Sequence, residues 1–227
     1  MGYDIEADRG GQSGMPGVRM IRVLFFDVGY TLVNEDAVWE TRCREQAAGG
    51  EAKRLGLTAE DLWHEIELAS LARRPQYRTL VSKYGFREAA PYRHALEVLY
   101  EDAPRVLRTL SARYALGVIA NQSDGLRDRL GAFGILPYFT YVVSSWDAGV
   151  MKPDRRLFEI ALRTADCRPE EAVMIGDRLD NDIAPAKALG MKTVWIRQGF
   201  GGLQEPLGGA DTPDHTIHSL SELPAIF

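Results

Sequence analysis

Polar side chains follow four of the short apolar runs in the 227-residue sequence. They are Asp27, Asn121, Gln122, Ser123, Lys152, Asp177, Asp180 and Asp182. If these runs are parallel strands of one sheet, their carboxyl ends share the edge at which such sheets bind ligands. Up to four carboxylates would then face a single lysine, and like charges repel by about 4 kcal/mol each at an effective dielectric near 20. A cation is therefore expected between them, and oxygen ligands without Cys or His favour a hard ion, for which we predict Mg²⁺.

The elements that must position these residues alternate along the chain. Apolar runs at 21–27, 115–120, 140–145, 172–176 and 192–196 are typical of strands buried on both faces. Helical patterns occupy about 104–113, 124–133, 153–164 and 181–189. Strands that alternate with helices of about 10 residues indicate βαβ units. The sequence therefore predicts an α/β fold with a three-layer, Rossmann-like parallel sheet core.

The segment from Glu35 to about Tyr100 has a different pattern, with apolar residues at helical spacing among charged ones. It predicts an all-helical cap without strands, inserted after the first strand. We assign residues 34–102 to this cap and residues 20–33 and 103–227 to the catalytic core. Residues 1–19 are polar and glycine-rich, and we expect them to form a flexible leader outside the fold.

Composition and charge argue against several classes of protein. The net charge is −5 with both signs interspersed, so no basic stripe is available for nucleic acid. No apolar run approaches the roughly 20 residues of a membrane helix. Cys43 and Cys167 are far apart in sequence, which indicates neither a disulfide framework nor a zinc site. We expect a cytoplasmic protein, and this charge does not exclude a small phosphorylated metabolite as its ligand.

Four motifs, each at a strand end, together resemble those of the haloacid dehalogenase-like hydrolases, most of which are phosphatases. "DVGYT" at 27–31 is similar to the family's D-x-D-x-T, and the segment at 120–123 lies where the family has Ser or Thr. "GVMKPD" at 149–154 is similar to the family's lysine motif, and "GDRLDND" at 176–182 to its acidic motif. Each match alone is weak, but their order makes the resemblance specific. It covers residues 21 to about 199.

The resemblance implies a nucleophile and a metal site. Asp27 would attack phosphorus and form an aspartyl-phosphate, which splits one difficult displacement into two easier steps. Mg²⁺ would be held by Asp27, Asp177 and the backbone carbonyl of Gly29. Asp182 would also belong to the metal site, next to these ligands.

The resemblance also implies residues that support the reaction. Asp182 would orient Lys152, whose ammonium offsets the negative charge of the nucleophile and the phosphoryl group. Thr31 would hydrogen-bond near the nucleophile. The substrate-binding residues would be Asn121, Gln122 and Ser123. Asp180 has no fixed role in the family pattern.

Two positions depart from the family pattern. Gly29 replaces a second acid that serves as general acid and base, which is typically worth about 10² to 10⁴ in rate. Glycine at this place would also permit a positive φ. Ala120 replaces the Ser or Thr that binds a phosphoryl oxygen, and the amide of Asn121 could supply this donor instead. Both departures point to a slow or specialised enzyme.

The preferred hypothesis is a Mg²⁺-dependent phosphatase of small phosphomonoesters, whose cap excludes water and selects the substrate. One alternative is a 2-haloacid dehalogenase, which attacks carbon with the same aspartate and needs no metal. The order Gly29-Tyr30 and the intact Asp177 argue against it. Another alternative is a catalytically weak member that binds a phosphorylated ligand or partner. Pairing of two copies through the cap, as a homodimer, is left open.

Structural interpretations compete with these functional ones. Strand-end acids cap turns, and Asp, Asn and Ser cap helices. Such interpretations apply to Asp27, Asp177, Asn121 and Ser123. Asp182 would instead be a first-turn acid favoured by the helix dipole, and Lys152 a solvated lysine at a helix start. The histidines at 64, 94, 215 and 218 are expected to be partly exposed structural residues. Trp39, Arg42 and Tyr77 could line the pocket, although positions in the cap core or on its surface are preferred for them. The glycine-rich "RQGFGG" at 197–202 precedes no clear helix, so it is not expected to bind nucleotide.

Overall fold

The structure is a computed structural model that describes residues 20–227. The expected leader at 1–19 lies outside the described residues. The strands, in chain order, are β1 (Val23–Phe26), β2 (Val33–Asn34), β3 (Val98–Leu99), β4 (Ala115–Ala120), β5 (Tyr141–Ser144), β6 (Ala172–Gly176), β7 (Lys192–Ile196) and β8 (His215–Ile217). Six of them form one parallel sheet in the order β5-β4-β1-β6-β7-β8. The central position of β1 explains why all of its residues are buried.

Helices cover both faces of this sheet. In chain order they are α1 (Asp36–Ala48), α2 (Gly50–Leu55), α3 (Ala59–Leu71), α4 (Gln76–Tyr84), α5 (Ala103–Ser111), α6 (Leu126–Ala132), α7 (Ser145–Ala148), α8 (Arg155–Thr164), α9 (Ala184–Ala188) and α10 (Leu223–Ile226). Because side chains alternate along a strand, Leu24 and Phe26 of β1 pack with α5 and α6, whereas Phe25 packs with α8 on the other face. The prediction of a three-layer α/β fold with a parallel sheet is confirmed.

Helices α1 to α4 lie between β2 and β3 and have an apolar cluster of their own, which includes Cys43, Leu62 and Ile66. Helix α3 begins with a capping box, in which the hydroxyl of Thr58 accepts from the backbone N–H of Asp61 and the Asp61 carboxylate accepts from that of Thr58. Strands β2 and β3 pair antiparallel where the chain leaves and re-enters the core. The prediction that the insertion contains no strand is therefore wrong at Val98–Leu99.

Other differences from the sequence prediction have local causes. Strand β8 was not predicted, because it is three residues long and two of them are exposed. The helix expected at 181–189 starts instead as a π-helical turn at Leu179–Ile183 and continues as α9. Position 29 does not have the positive φ expected of glycine there; the left-handed residue of this turn is Tyr30, with φ of 49°. In residues 20–227, no helix is long and apolar enough to cross a membrane.

Candidate active site

The carboxyl ends of β1, β4 and β6 meet at one edge of the sheet, and the predicted catalytic residues meet there. Asp27 follows β1 and Asp177 follows β6, while Asp182 lies on the π-helical turn after β6. One carboxylate oxygen from each of these three acids lies within 4.8 Å of the others. Asp177 and Asp182 are buried, and Asp27 is half-buried. Three carboxylates at this spacing repel one another, so the site requires nearby positive charge.

Lys152 supplies part of that charge from the loop before α8. Its ammonium is buried and donates three hydrogen bonds: to Asp27 Oδ1 at 2.6 Å, to Asp182 Oδ1 at 2.6 Å and to the carbonyl of Ile119 at 3.0 Å. Burial alone would lower the pKa of Lys152, but the two carboxylates outweigh it and raise the pKa above its usual value. The lysine therefore stays charged beside Asp27.

Asp177 is the carboxylate best suited to a metal ion. Among residues 20–227 it accepts no side-chain hydrogen bond, although it is buried beside two other acids. Burial, with Asp182 and Asp27 nearby, raises its pKa well above the usual value. A buried carboxylate without hydrogen bonds fits a hard cation. The carboxylates of Asp27, Asp177 and Asp182 therefore fit Mg²⁺, and Gly29, whose carbonyl is the other expected ligand, lines the same pocket.

Asp182 has a different environment from Asp177. Its Oδ1 accepts from Lys152, and its Oδ2 accepts from the backbone N–H of Arg178 at 3.0 Å. Burial nevertheless raises its pKa. Gly176 packs so closely that an added Cβ would overlap the Asp182 side chain. With both oxygens occupied, Asp182 fixes Lys152 and lies beside the expected metal ligands.

The predicted substrate-binding residues line the pocket, but their side chains are occupied. Asn121 donates from Nδ2 to the carbonyl of Lys152 and accepts from its N–H, at 2.9 and 2.7 Å. Gln122 accepts from Arg129, and Ser123 bonds with His94 Nε2 at 2.9 Å. The Asn121 amide therefore holds the lysine loop, and its expected role as the donor that replaces the one missing at Ala120 stays a prediction.

Thr31 does not act as the sequence suggested. Its hydroxyl is buried and has no hydrogen-bond partner among the described residues. Its backbone N–H donates to the carbonyl of Val28 at 3.2 Å, so it contributes to the turn after β1. The prediction of a side-chain hydrogen bond near the nucleophile is wrong.

Glu35 is a buried acid of the pocket that sequence reasoning missed. It precedes α1, and its Oε2 accepts from Trp39 Nε1 at 2.9 Å. Burial raises its pKa to about 7, against the lowering effect of contacts with Tyr92 and Trp39. A Cβ added to Gly29 would lie within 3.2 Å of all three atoms of the Glu35 carboxyl group. Its only signal in the sequence was an acid at the start of a helix, which is common.

The pocket encloses about 310 Å³ between the sheet edge and the cap. Trp39 and Phe200 form an apolar wall, their ring centroids 5.5 Å apart, and Phe200 also contacts Tyr30. His94 lines the pocket, is partly exposed as expected, and bonds with Glu97 at 2.7 Å. Arg42 and Tyr77 pack on each other instead, with the guanidinium 3.4 Å from the ring centroid.

A polar bridge joins the cap to the core beside the pocket. Arg178 donates to both oxygens of Asp180 and, at 2.7 Å, to Gln76 of α4. Gln204 also donates to Asp180, at 2.9 Å. Asp180, which the family pattern left without a role, is therefore ion-paired rather than solvated.

Comparison with known proteins identifies the family. A family model described as HAD-hydrolase-like matches residues 150–223. The glyceraldehyde 3-phosphate phosphatase of Methanopyrus kandleri is 31% identical over 223 residues, covering 90% of this chain and 96% of that protein. This chain belongs to the haloacid dehalogenase-like hydrolases. The membership predicted from the four motifs is confirmed.

Solved structures of other haloacid dehalogenase-like proteins have a similar fold. A HAD phosphatase from Thermococcus onnurineus is 26% identical with a TM-score of 0.66, covering 91% of this chain and 97% of that one. A 2-haloacid dehalogenase from Pseudomonas syringae is 27% identical with a TM-score of 0.59, covering 91% and 98%. Proteins of this fold are therefore named for two different reactions, so the fold does not show which reaction a protein catalyses, and the residues of the active site must be compared instead.

The glycine-rich segment at 197–202 has a structural use in this hydrolase. An added Cβ would overlap the ring of Tyr30 at Gly199, where φ is 52°, and the carbonyl and carboxylate of Asp177 at Gly201. Between them, Phe200 enters the apolar cluster of the cap. The glycines thus allow one loop to contact both the expected metal site and the cap.

Proposed function

We propose that this hydrolase is a Mg²⁺-dependent phosphatase of small phosphomonoesters that forms an aspartyl-phosphate on Asp27. The observation that carries the proposal is the buried Lys152, which bonds to Asp27, while the Asp177 carboxylate beside it accepts no hydrogen bond from residues 20–227. Asp27 and Lys152 together suit nucleophilic attack on a phosphoryl group. The Asp177 carboxylate suits a metal ion to which an oxygen of the phosphoryl group can also bind.

The chain's own residues supply three parts of the reaction. Lys152 holds Asp27 Oδ1 in place and offsets the negative charge that otherwise repels a phosphoryl group. Asp182 holds the ammonium from the other side, which keeps its position when the substrate enters. Bound Mg²⁺ would supply additional charge neutralisation to the phosphoryl oxygens through Asp27, Asp177 and the Gly29 carbonyl.

The pocket supports a small substrate. Its volume of about 310 Å³ lies at the lower end of the range of about 300–1,000 Å³ for small-molecule sites. The apolar Trp39 and Phe200 and the polar Gln76, His94 and Arg178 line the same pocket. This mixture suits a short carbon chain with hydroxyl or carbonyl groups. Because a relative is named as a glyceraldehyde 3-phosphate phosphatase, we propose phosphorylated three-carbon metabolites of the cytoplasm as the first candidates.

Phosphate release by the metal-stripped protein, with and without added Mg²⁺, tests this proposal. We expect turnover of glyceraldehyde 3-phosphate only with Mg²⁺, and we expect Asp27→Asn to abolish it. Asp128→Asn is the matched control, because Asp128 is an exposed acid of α6 away from the site. Equal turnover by wild type and Asp27→Asn would refute the nucleophile.

The dehalogenase alternative is tested in the same preparation. The similar fold of the Pseudomonas syringae dehalogenase makes halide release from 2-chloropropionate the appropriate assay. Halide release without metal, and no phosphate release with it, would replace the proposed function. If neither product forms while glyceraldehyde 3-phosphate still raises the melting temperature, the protein is a binder.

A further inference from the structure

The proposed reaction needs a proton donor that the predicted residues do not provide. When phosphorus is transferred from an alkyl ester to Asp27, the leaving oxygen departs as an alkoxide unless a positioned acid protonates it. The carboxyl groups that line the pocket are those of Asp27, Glu35, Asp177 and Asp182. Asp27 is the nucleophile, Asp177 suits the metal, and both oxygens of Asp182 are occupied. Glu35 is the lining carboxyl group that is left.

We propose that Glu35 is the general acid and base of this hydrolase, in place of the acid that is missing at position 29. The inference rests on the proposed phosphatase function. It assigns a catalytic role to a residue that comes from the first turn of the cap rather than from the strand-end motif.

The packing of Gly29 supports this exchange of positions. An added Cβ there would lie within 3.2 Å of Glu35 Oε1, Cδ and Oε2. The carboxyl group of Glu35 thus occupies the space where a side chain at position 29 would begin, two residues from Asp27. Glycine at 29 makes room for a carboxyl group that arrives from position 35. The motif at 27–31 therefore lacks its second acid, but a carboxyl group still lies beside position 29.

The orientation of Glu35 is also fixed. Oε2 accepts from Trp39 Nε1 at 2.9 Å, and Oε1 is the oxygen nearer to Gly29. The neighbouring acid, Asp36, is engaged elsewhere, with Tyr30 Oη donating to its Oδ1 and Asn34 Nδ2 donating to its Oδ2, both at 3.0 Å. Contacts with the indole of Trp39 and the hydroxyl of Tyr92 thus hold the carboxyl group in the pocket, and such fixed placement is what positioned proton transfer requires.

The two half-reactions balance with Glu35 in this role. In the first, Asp27 forms a bond to phosphorus, the bond from phosphorus to the ester oxygen breaks, and the Glu35 carboxyl proton goes to that oxygen to give an alcohol. In the second, a water oxygen attacks phosphorus, the bond to Asp27 breaks, and Glu35 takes a proton from the water. Glu35 ends protonated as it began, and the products are alcohol and phosphate.

The leaving group provides the test. We compare kcat/KM of wild type and Glu35→Gln for glyceraldehyde 3-phosphate and for p-nitrophenyl phosphate, with Mg²⁺ present. An alkoxide needs the proton, so we expect Glu35→Gln to lose about 10² to 10⁴ in kcat/KM with the alkyl ester. A nitrophenolate leaves without it, so we expect a loss below about tenfold there, with a burst of p-nitrophenol followed by slow turnover because water attack lacks its base.

Controls separate this inference from misfolding and from the proposed function. Gln keeps an oxygen for Trp39, and Glu40→Gln changes an exposed residue of the same helix, so Glu40→Gln should match wild type. The double variant Gly29→Asp/Glu35→Ala returns a carboxyl group to position 29 and should recover at least tenfold in alkyl ester kcat/KM over Glu35→Ala. If Glu35→Gln fails to fold, the recovery of kcat/KM in this double variant still tests whether a carboxyl group at this position acts as the general acid.

Two outcomes are distinct failures. If wild type releases no phosphate from either ester, the proposed function fails. If wild type is active and Asp27→Asn is not, but Glu35→Gln loses the same factor with both esters or none with either, Glu35 is not the acid and this inference is overturned.

Discussion

The protonation of Glu35 should make the stability of this protein depend on pH in a way that one substitution removes. Burial raises the pKa of Glu35 from 4.5 to about 7 in the native state, whereas in the unfolded chain it returns to its ordinary value. The native state therefore binds more protons between these two pH values. The contribution of Glu35 to the free energy of unfolding is therefore most favourable below pH 4.5, and this contribution is lost as the pH rises towards 7.

The size of the effect follows from the two pKa values. One unit of pKa difference corresponds to about 1.4 kcal/mol, so a rise from 4.5 to about 7 lowers the free energy of unfolding by about 3 kcal/mol above pH 7. Glu35→Gln keeps the shape of the side chain and cannot ionise. We therefore expect the difference in stability between this variant and wild type to shift by about 3 kcal/mol, in favour of the variant, between pH 4.5 and pH 8.

Urea unfolding at several pH values in a chelating buffer measures this difference. Other groups with raised pKa values, such as Asp177, are present in both proteins and largely cancel. Glu40→Gln is the control, because Glu40 is exposed and its substitution should leave the pH dependence of wild type unchanged. Parallel stability curves for wild type and Glu35→Gln from pH 4.5 to 8 would refute the argument from burial.

Three further substitutions test the site. Lys152→Met should abolish phosphate release and lower the free energy of unfolding by about 3–5 kcal/mol in urea, because it leaves the buried Asp182 and the half-buried Asp27 uncompensated; a stable, active variant would contradict the ion-pair network. Thr31→Val should raise stability by about 1 kcal/mol, since the hydroxyl it removes is buried without a partner among the residues that the structure describes; a loss of stability would mean that this hydroxyl has a partner. Gly201→Ala should weaken Mg²⁺ binding in a thermal-shift titration, because its Cβ would overlap the Asp177 carboxylate. Gly131→Ala is the matched control, with 3.9 Å to its nearest neighbour, and equal Mg²⁺ affinity of the two variants would show that Asp177 is not displaced.

The sequence was sufficient for the elements whose signal is local. The runs at 115–120, 172–176 and 192–196 became β4, β6 and β7 with the same bounds, because strands buried on both faces are continuous apolar segments. The convergence of Asp27, Lys152 and the acids at 177 and 182 also followed from sequence, since the carboxyl ends of parallel strands share one edge. Strand β8 was not predicted, because two of its three residues are exposed and it has no continuous apolar run.

Tertiary structure alone decided which side chains are free to act. Asn121 and Thr31 had suitable chemistry by sequence, yet Asn121 is bonded to the lysine loop and the Thr31 hydroxyl has no hydrogen-bond partner in residues 20–227. Glu35, in contrast, belongs to no sequence motif. It lies in the pocket because Trp39 donates a hydrogen bond to its carboxylate and because Gly29 has no side chain that would overlap it. Periodicity and spacing report on neighbours along the chain, whereas burial and hydrogen-bond partners depend on how the cap packs over the sheet, which no local pattern encodes.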